Sequence, residues 1–394
     1  MNTRRFLFVI HYPVFGGPHN QALRLAGPLA ERGWETVVLL PDEPGNAAPR
    51  LEEAGVRVLT APLVRIRANP DPRIQMRTAA HFRRDVRTIR RTLTEEKADL
   101  VLLGGLANPQ AALAGRAERL PVVWQLLDTR LPAAISAAYL PLLARYADSL
   151  MVTGNRVAQA HPGVPRLASR TVPFFPPVDR NLFVPNADSR AAARMELGLD
   201  GDSPVVAIVG NLSPMKGHGT FVRVAAQVHR THPDARFLVL GADFAHRPEY
   251  AQSLWAEAER LGLRLGETLI VRDPGGRLPE LAQALDILVL TSEPRSEGIP
   301  TVIGEMMALG KPVVAADVGS VSEAVVDGVD GFIVPARDVD AFTTAITRLL
   351  DDRELYARMS AAVSEDASRY SIETSADVHV RAFELACKRA AERG

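Results

Sequence analysis

The sequence predicts an α/β protein built from two doubly wound, Rossmann-like domains that face each other across a cleft. Its 394 residues are too many for one ordinary hydrophobic core, and two domains of roughly 180 to 200 residues each are the natural expectation. Short apolar runs alternate with helical patterns along the whole chain, which is typical of parallel strands covered by helices on both faces. A proline-rich segment interrupts this alternation near the middle.

The first half opens on an apolar run at residues 6–10, followed by a loop, a helical pattern that closes at Gly33 and a second apolar run at 36–40. Strand, helix and strand at this spacing form a βαβ unit. Further strands are predicted at 56–60, 100–103, 122–125 and 149–153, and helices at 74–97, 108–118 and 133–146.

The second half follows the stretch VPFFPPVDRNLFVPNADS at 172–189, whose prolines favour an extended linker. Strands are predicted at 205–209, 237–240, 269–271, 287–290, 313–316 and 332–334. Helices are predicted at 217–232, 249–262, 278–284, 301–309, 320–326, 338–350 and 354–390. The predicted organisation is a domain at 1–175, a linker at 176–190, a domain at 191–370 and a terminal helix at 371–394 that returns to the first domain.

Charge and composition exclude several function classes. The 46 basic and 46 acidic residues give a formal net charge of 0, so the chain as a whole has no electrostatic reason to bind nucleic acid. The single cysteine, Cys387, excludes internal disulfides and thiolate metal clusters and fits a reducing cytoplasm. The opening apolar run of five residues is too short for a membrane span. We therefore expect a cytoplasmic protein.

Two glutamates eight residues apart give the strongest local signal, in the segment EGIPTVIGEMMALGKPVVA at 297–315. Glu297 follows a strand and Glu305 lies inside a helix that opens near Thr301. Backbone amides at a helix N-terminus bind anions, while carboxylates accept hydrogen bonds from hydroxyls, so the pair suits a sugar nucleotide. Two ordinary glutamates near a helix start are the alternative that the spacing leaves open.

Two loops at the ends of strands carry the other signals. In GNLSPMKGHGTF, at 210–221, Lys216 stands where a strand turns into a helix and could neutralise a diphosphate, or it could be a solvated loop lysine. Gly16 and Gly17 separate the first strand from the first helix. They would let the backbone approach a phosphate closely, or they could form an ordinary tight turn.

These segments, in this order, resemble the family-4 retaining glycosyltransferases of GT-B fold. GGPHNQALRLAGPLAERGWETVVL is similar to the opening loop, helix and strand of that family, VPFFPPVDRNLFVP to its interdomain linker, and GNLSPMKGH to its phosphate-contacting loop. The segment EGIPTVIGEMMALGKPVVAADVGSVSEAVVDGVDGFIVP is similar to its E-x7-E region and is the most specific match.

The resemblance implies a role for each matching residue. Glu297 would hold the donor sugar, Glu305 the ribose hydroxyls and Lys216 the diphosphate. Gly16 and Gly17 would approach the diphosphate from the first domain. The backbone that supports the sugar would come from Gly298, Ile299, Pro300 and Thr301.

Three positions depart from the family pattern. Asn211 replaces an arginine of the phosphate loop, and Arg272 or Arg295 could take over its charge. Leu127 replaces a histidine that commonly touches the donor sugar, whereas the neighbouring Asp128 is retained and is predicted to be catalytic. His19 stands where a glutamate is common, which would reshape the acceptor side.

The implied reaction is transfer of a hexose-type sugar from a UDP- or GDP-sugar to an unidentified hydroxyl acceptor, with retention and without a metal or other cofactor. Asp338 and Asp340 match a metal-binding D-x-D, but aspartates at a helix start are typical caps. Two alternatives stay open: a sugar-nucleotide epimerase, and a non-catalytic relative that binds nucleotide sugars.

Residues 65–91 form a basic amphipathic segment with nine arginines and two acids. Ile74, Phe82, Val86, Ile89 and Leu93 recur at helical spacing. Such a helix could lie on anionic lipid as a peripheral membrane contact, or it could be a core-facing helix with an arginine-rich solvent face. The sequence leaves both interpretations open.

Overall fold

A computed structural model of the chain describes residues 3–64, 71–131, 133–199, 201–241 and 248–393. It divides the chain into two compact units. The first comprises residues 1–177 together with 370–394, and the second comprises residues 178–369. Part of the basic segment, including Arg65 and Arg67, lies outside the described residues, as do the side chains of Ile74 and Arg77.

The first unit contains a seven-stranded parallel sheet in the order β3-β2-β1-β4-β5-β6-β7. Its strands are β1 Arg4–Ile10, β2 Trp34–Pro41, β3 Arg57–Ala61, β4 Leu100–Gly104, β5 Val122–Leu126, β6 Ser149–Val152 and β7 Thr171–Pro173. The helices that connect them are α1 Gly17–Glu31, α2 Ala47–Glu53, α3 Pro72–Glu95, α4 Pro109–Ala117, α5 Ala133–Tyr146 and α6 Asn155–Ala160. Because the chain order reverses between β1 and β4, the loops that follow these strands meet at one edge of the sheet.

The second unit repeats this plan with a six-stranded parallel sheet in the order β10-β9-β8-β11-β12-β13. Its strands are β8 Val205–Val209, β9 Arg236–Leu240, β10 Leu269–Arg272, β11 Ile287–Leu290, β12 Val313–Ala316 and β13 Gly331–Val334. Its helices are α7 Ala187–Glu196, α8 His218–Thr231, α9 Pro248–Arg260, α10 Leu278–Leu281, α11 Thr301–Ala308, α12 Val321–Ala324, α13 Val339–Asp351 and α14 Arg353–Asp366. The predicted α/β class with doubly wound parallel sheets is confirmed.

The last helix, α15 Ile372–Ala391, packs on the sheet of the first unit. The ring of Phe383 lies 4.9 Å from that of Phe6 and 5.1 Å from that of Trp34, measured between centroids. His379 is fully buried, and its Nε2 lies 2.6 Å from the amide nitrogen of Gln21. Residues from the far end of the chain therefore complete the core that α1 and the first two strands begin.

Three elements differ from the sequence-based expectation. The predicted linker at 176–190 contains the start of α7, since the Asn186 side chain accepts a hydrogen bond from the Ser189 amide at 2.8 Å and caps that helix. The proline-rich stretch also contributes the edge strand β7. The helical region 354–390 is two helices, because a 3-10 turn at Ala367–Tyr370 separates α14 from α15.

The helix α3 carries much of the basic segment, and its apolar stripe faces the core. Ile89 and Leu93 are each 1% exposed, and Val86 packs against the same cluster. Arg90 pairs with Glu118 at 2.6 Å. No helix in the described part of the chain is long and apolar enough to cross a bilayer.

Candidate active site

The loops that carry Lys216 and Glu297 follow two neighbouring strands. The strand β8 pairs directly with β11, and the chain order of the sheet reverses between them. Residues 210–217 leave the carboxyl end of β8, and residues 291–300 leave that of β11. This is the position at which doubly wound sheets bind ligands.

Lys216 and Glu297 form an ion pair at this edge. The Lys216 Nζ donates to Glu297 Oε1 at 2.7 Å, and the Ser292 hydroxyl donates to the same oxygen at 2.9 Å. Glu297 is 7% exposed, whereas the side chain of Lys216 is 29% exposed. A buried carboxylate thus orients a partly exposed cation, which has three N–H donors and gives one of them to Glu297.

The lysine loop is held against β11 by the backbone. Gly217 has a φ of +72°, and a β carbon there would overlap the carbonyl oxygen of Thr291. The Thr291 hydroxyl donates to the Gly217 carbonyl at 2.9 Å, and the Glu293 amide donates to the Met215 carbonyl at 2.9 Å. Only glycine combines this conformation with so close an approach.

A second close approach supports Glu297 from the other side. Gly319 has a φ of +54°, and a β carbon there would overlap the carbonyl oxygen of Glu297. The Ser320 amide donates to the Gly298 carbonyl at 3.1 Å. The segment that leads into α11 is therefore fixed by its backbone on the loop after β12.

The remaining predicted residues of the E-x7-E region lie on this segment and on α11. Gly298, Ile299 and Pro300 are buried, and Thr301 opens the helix. Glu305 is 3% exposed on the same helix. Amides of the first helical turn have no partner within a helix and present a partial positive charge, so this region combines a helix N-terminus with two buried carboxylates.

The residues predicted to strengthen the phosphate loop are exposed. Asn211 lies at the end of β8, and Arg272 ends β10, two strands away from β8 in the sheet. Arg295 has a φ of +65° and is exposed in the loop after β11. None of these side chains has a hydrogen bond to Lys216 or Glu297 among the described contacts, so which of them replaces the missing charge stays a prediction.

The glycine loop of the first unit is fixed by His19. The Gly16 amide donates to His19 Nδ1 at 3.2 Å, so Nε2 carries the proton and donates to the Tyr12 carbonyl at 3.0 Å. Burial lowers the pKa of His19 to about 4, which keeps the ring neutral. His19 therefore holds this loop from inside, and the expectation that it reshapes the acceptor side stays a prediction. Gly17 is exposed at the start of α1.

Asp128 follows β5 at the carboxyl edge of the first sheet. Its Oδ1 accepts from the Arg130 amide at 3.0 Å, and its Oδ2 lies 3.3 Å from Arg130 Nε. The neighbouring Leu127, which stands in place of the family histidine, packs against the core. The structure shows a turn-forming role for Asp128, and its catalytic role stays a prediction.

The D-x-D segment caps a helix. The Asp338 side chain accepts from the Ala341 amide at 2.9 Å at the start of α13, and Asp340 accepts from Gln227 at 3.1 Å. The capping interpretation is confirmed for Asp338. Among the residues that the structure describes, no group of three histidine, cysteine or acidic side chains is arranged to hold a metal ion.

Comparison with protein families gives two matches that together cover most of the chain. Residues 189–366 match the family of group 1 glycosyl transferases, and residues 16–173 match the glycosyl transferase 4-like domain. A GDP-mannose-dependent α-(1-6)-phosphatidylinositol monomannoside mannosyltransferase of Mycolicibacterium smegmatis is 32% identical over 276 residues, which are 67% of this chain and 68% of that protein.

The chain belongs to the family-4 glycosyltransferases of GT-B fold.

Other similar proteins match this glycosyltransferase over fewer residues or at lower sequence identity. A D-inositol 3-phosphate glycosyltransferase of Segniliparus rotundus is 36% identical over 213 residues, 54% of this chain but only 46% of the relative. The chain thus spans about half the length of this curated relative. The crystal structure of Anabaena HepE in complex with UDP and glucose superposes with a TM-score of 0.80 at 24% identity, covering 96% of this chain and 99% of that one, which shows the shared fold.

Sequence reasoning missed several residues of this family-4 site. Ser292 binds Glu297, Thr291 holds the lysine loop, and Gly319 lets the backbone approach Glu297. Thr291 and Ser292 come directly after an apolar strand, in the loop that also carries Glu297, and that position was the signal that could have identified them.

Proposed function

We propose that the chain is a retaining glycosyltransferase that moves a hexose-type sugar from a UDP- or GDP-sugar to a hydroxyl acceptor without a metal. The observation that carries this proposal is the 2.7 Å pair of Lys216 and Glu297 at the switch point of the second sheet. A cation for a diphosphate and a carboxylate for sugar hydroxyls stand side by side there, next to a helix N-terminus.

The pair suggests how the donor is held. Lys216 has three N–H donors and uses one on Glu297, which leaves two for the diphosphate oxygens. Glu297 uses Oε1 for both of its observed partners, which leaves Oε2 for a sugar hydroxyl. Glu305, one to two turns into α11, is assigned to the ribose. The positive end of α11 supports the diphosphate.

The proposed chemical step needs positioning and charge stabilisation more than a strong base. The bond between the anomeric carbon and the diphosphate oxygen breaks through an oxocarbenium-like state. The acceptor oxygen attacks from the same face, and its proton passes to the departing phosphate. Lys216 and the α11 amides stabilise the negative charge that develops on the leaving group. The anomeric configuration is retained.

The direct test is release of nucleotide diphosphate from UDP- and GDP-hexoses, with and without an acceptor panel. The names of the relatives put D-inositol 3-phosphate and phosphatidylinositol monomannoside first in that panel. Acceptor-dependent release with an α-linked product, identified by NMR, supports the proposal. Altered sugar formed from donor alone indicates the epimerase, and donor binding without turnover on any acceptor indicates the non-catalytic relative.

Variants of Lys216 and Glu297 test whether the activity depends on this ion pair. Lys216→Ala should lower turnover at least about 100-fold, since it removes a charge that acts on the leaving group. Glu297→Gln should lower turnover while nucleotide diphosphate binding persists, because Lys216 is then released to the phosphates. The matched controls Lys388→Ala and Glu354→Gln change exposed residues of the same types and should leave turnover unchanged. Activity in excess EDTA tests metal independence, and loss that Mg²⁺ or Mn²⁺ restores would refute it.

We also propose a peripheral contact of α3 with anionic lipid, in a narrower form than the sequence suggested. Arg84 and Arg90 are engaged with Asp85 and Glu118, and the apolar stripe faces the core. Met76, Arg83 and Arg87 are exposed, and Met76 is 66% exposed seven residues before Arg83, on the same helix face. This surface offers charge to lipid headgroups and little apolar area for insertion.

A further inference from the structure

A depression of about 310 Å³ lies in the first unit, at the edge of the sheet where β5, β6 and β7 begin. This is the edge opposite to the one that carries Gly16 and Asp128. The ends of α4, α5 and α15 converge on it. We call it the arginine pocket, because its lining includes Arg116, Arg145, Arg170, Arg389 and Arg393.

The acidic residues of the arginine pocket do not balance its arginines. Asp148 and Glu392 are the two carboxylates of the lining, against five guanidinium groups. Asp148 is 4% exposed, and its Oδ2 accepts from the Val122 amide at 3.0 Å. Its Oδ1 is shared by Arg116 at 3.6 Å and Arg393 at 3.2 Å. Three positive charges therefore remain in excess among the described residues that line this concave space.

The arginines of the pocket differ in whether they have a structural role. Arg170 donates to the carbonyls of Ala147 at 2.6 Å and Ala144 at 2.9 Å, which caps α5. Burial, and then the charge of Arg389, lowers the pKa of Arg170. Arg170 therefore has a structural role, and the nearby positive charge of Arg389 disfavours its charged form.

Arg116 is a pocket arginine whose hydrogen bonds are incomplete among the described residues. Its Nη1 is shielded from solvent and has no hydrogen-bond partner in the described part of the chain, since the Asp148 oxygen at 3.6 Å is too far for a hydrogen bond. Arg145 and Arg389 have no carboxylate within 4.0 Å among the described residues. Buried donors in native proteins are nearly always satisfied, and a bound water or ion is a regular partner when the protein itself supplies none; the surplus of arginines in this pocket favours an anion.

We propose that the arginine pocket binds the phosphate group of a phosphorylated small molecule, at a site separate from the donor site. Guanidinium groups recognise phosphate through paired, charge-assisted hydrogen bonds, and the excess of three positive charges in the lining favours a multiply charged anion such as a phosphate dianion. The volume of about 310 Å³ is at the lower end of small-molecule sites, so it accommodates a phosphomonoester or diphosphate with a small organic body.

Titration calorimetry with inorganic pyrophosphate tests this assignment on the full chain. The variant Arg145→Gln/Arg389→Gln removes two pocket charges that make no ion pair with a described residue. The control Arg166→Gln/Arg381→Gln removes two exposed charges from the same unit outside the pocket. Lys216→Ala separates the pocket from the donor site. Circular dichroism and thermal melts confirm that each variant is folded.

We expect the pocket variant to lose pyrophosphate affinity at one site by at least about tenfold, while Lys216→Ala and the control double variant keep that site. The chain could instead bind phosphatidic acid vesicles but not pyrophosphate, and lose that binding when Arg145 and Arg389 are replaced. This result would support phosphate binding in the pocket and identify the ligand as a lipid headgroup. Equal loss in the pocket and control variants, or no binding to either probe in a folded wild type, would overturn the proposal.

Discussion

Replacing Gly217 by alanine should release the loop that positions Lys216. A residue with a side chain pays roughly 1–2 kcal/mol in the left-handed region where Gly217 lies. The added β carbon would also overlap the backbone oxygen of Thr291, so one of two backbone segments must move. Overpacking of this kind costs about 1–3 kcal/mol. The free energy of unfolding of the second unit should therefore fall by about 2–5 kcal/mol.

A matched control separates the two contributions. Gly198 lies in the same unit with a φ of +67°, and no atom is within 4 Å of the place where its β carbon would stand. Gly198→Ala should therefore be destabilised only by the unfavourable backbone conformation, by about 1–2 kcal/mol. The difference between the two variants isolates the overlap with Thr291.

Guanidinium denaturation of both variants, followed by circular dichroism, measures these losses, and titration with UDP and GDP measures the effect on the site. We expect Gly217→Ala to lose more stability than Gly198→Ala and to weaken nucleotide diphosphate binding, whereas Gly198→Ala keeps it. Equal destabilisation by the two variants would refute the close approach of Gly217 to Thr291. Unchanged binding in Gly217→Ala would refute the link between this turn and Lys216.

Three further predictions address other parts of the molecule. Glu305→Gln should weaken binding of the bare nucleotide diphosphate by about tenfold, because a ribose contact worth roughly 1.4 kcal/mol is lost, and unchanged affinity in calorimetry would remove that assignment. Burial lowers the pKa of His379 to about 4, so at this residue only the unfolded chain takes up a proton as pH falls from about 6.5 towards 5; the stability lost between pH 7.5 and pH 5 in urea denaturation should therefore be about 2 kcal/mol smaller in His379→Gln than in the unchanged chain. Phosphatidylglycerol vesicles should sediment the chain at low salt but not at high salt, and retention of binding in Arg83→Gln/Arg87→Gln would exclude α3 as the contact.

The strands of this fold are readable from sequence because parallel strands in a doubly wound sheet are buried on both faces. The apolar runs at 205–209 and 287–290 coincide with β8 and β11. The missed elements lack such a signal. The edge strand β7 has three residues, one of them a proline, and α2 has only seven residues, so neither repeats a pattern long enough to detect.

The candidate site was also predictable from the sequence only in part. The sequence identified Lys216 and Glu297 as candidates, but not that they touch, because contact depends on the order of strands in the sheet and not on their order in the chain. It also could not show that the Gly16 amide is already bonded to His19. A side chain three residues away decides whether a backbone donor is available, and residue spacing alone carries no such information.

The return of α15 to the first unit has a consequence for how the chain is made. The second unit is one uninterrupted stretch of residues, whereas the first is split by it. During synthesis the ribosome therefore delivers everything that the second unit needs before it delivers Phe383, and until then Phe6 and Trp34 lack their partner on α15. The second unit can therefore finish folding first. The first unit, although its translation starts earlier, completes its hydrophobic core last.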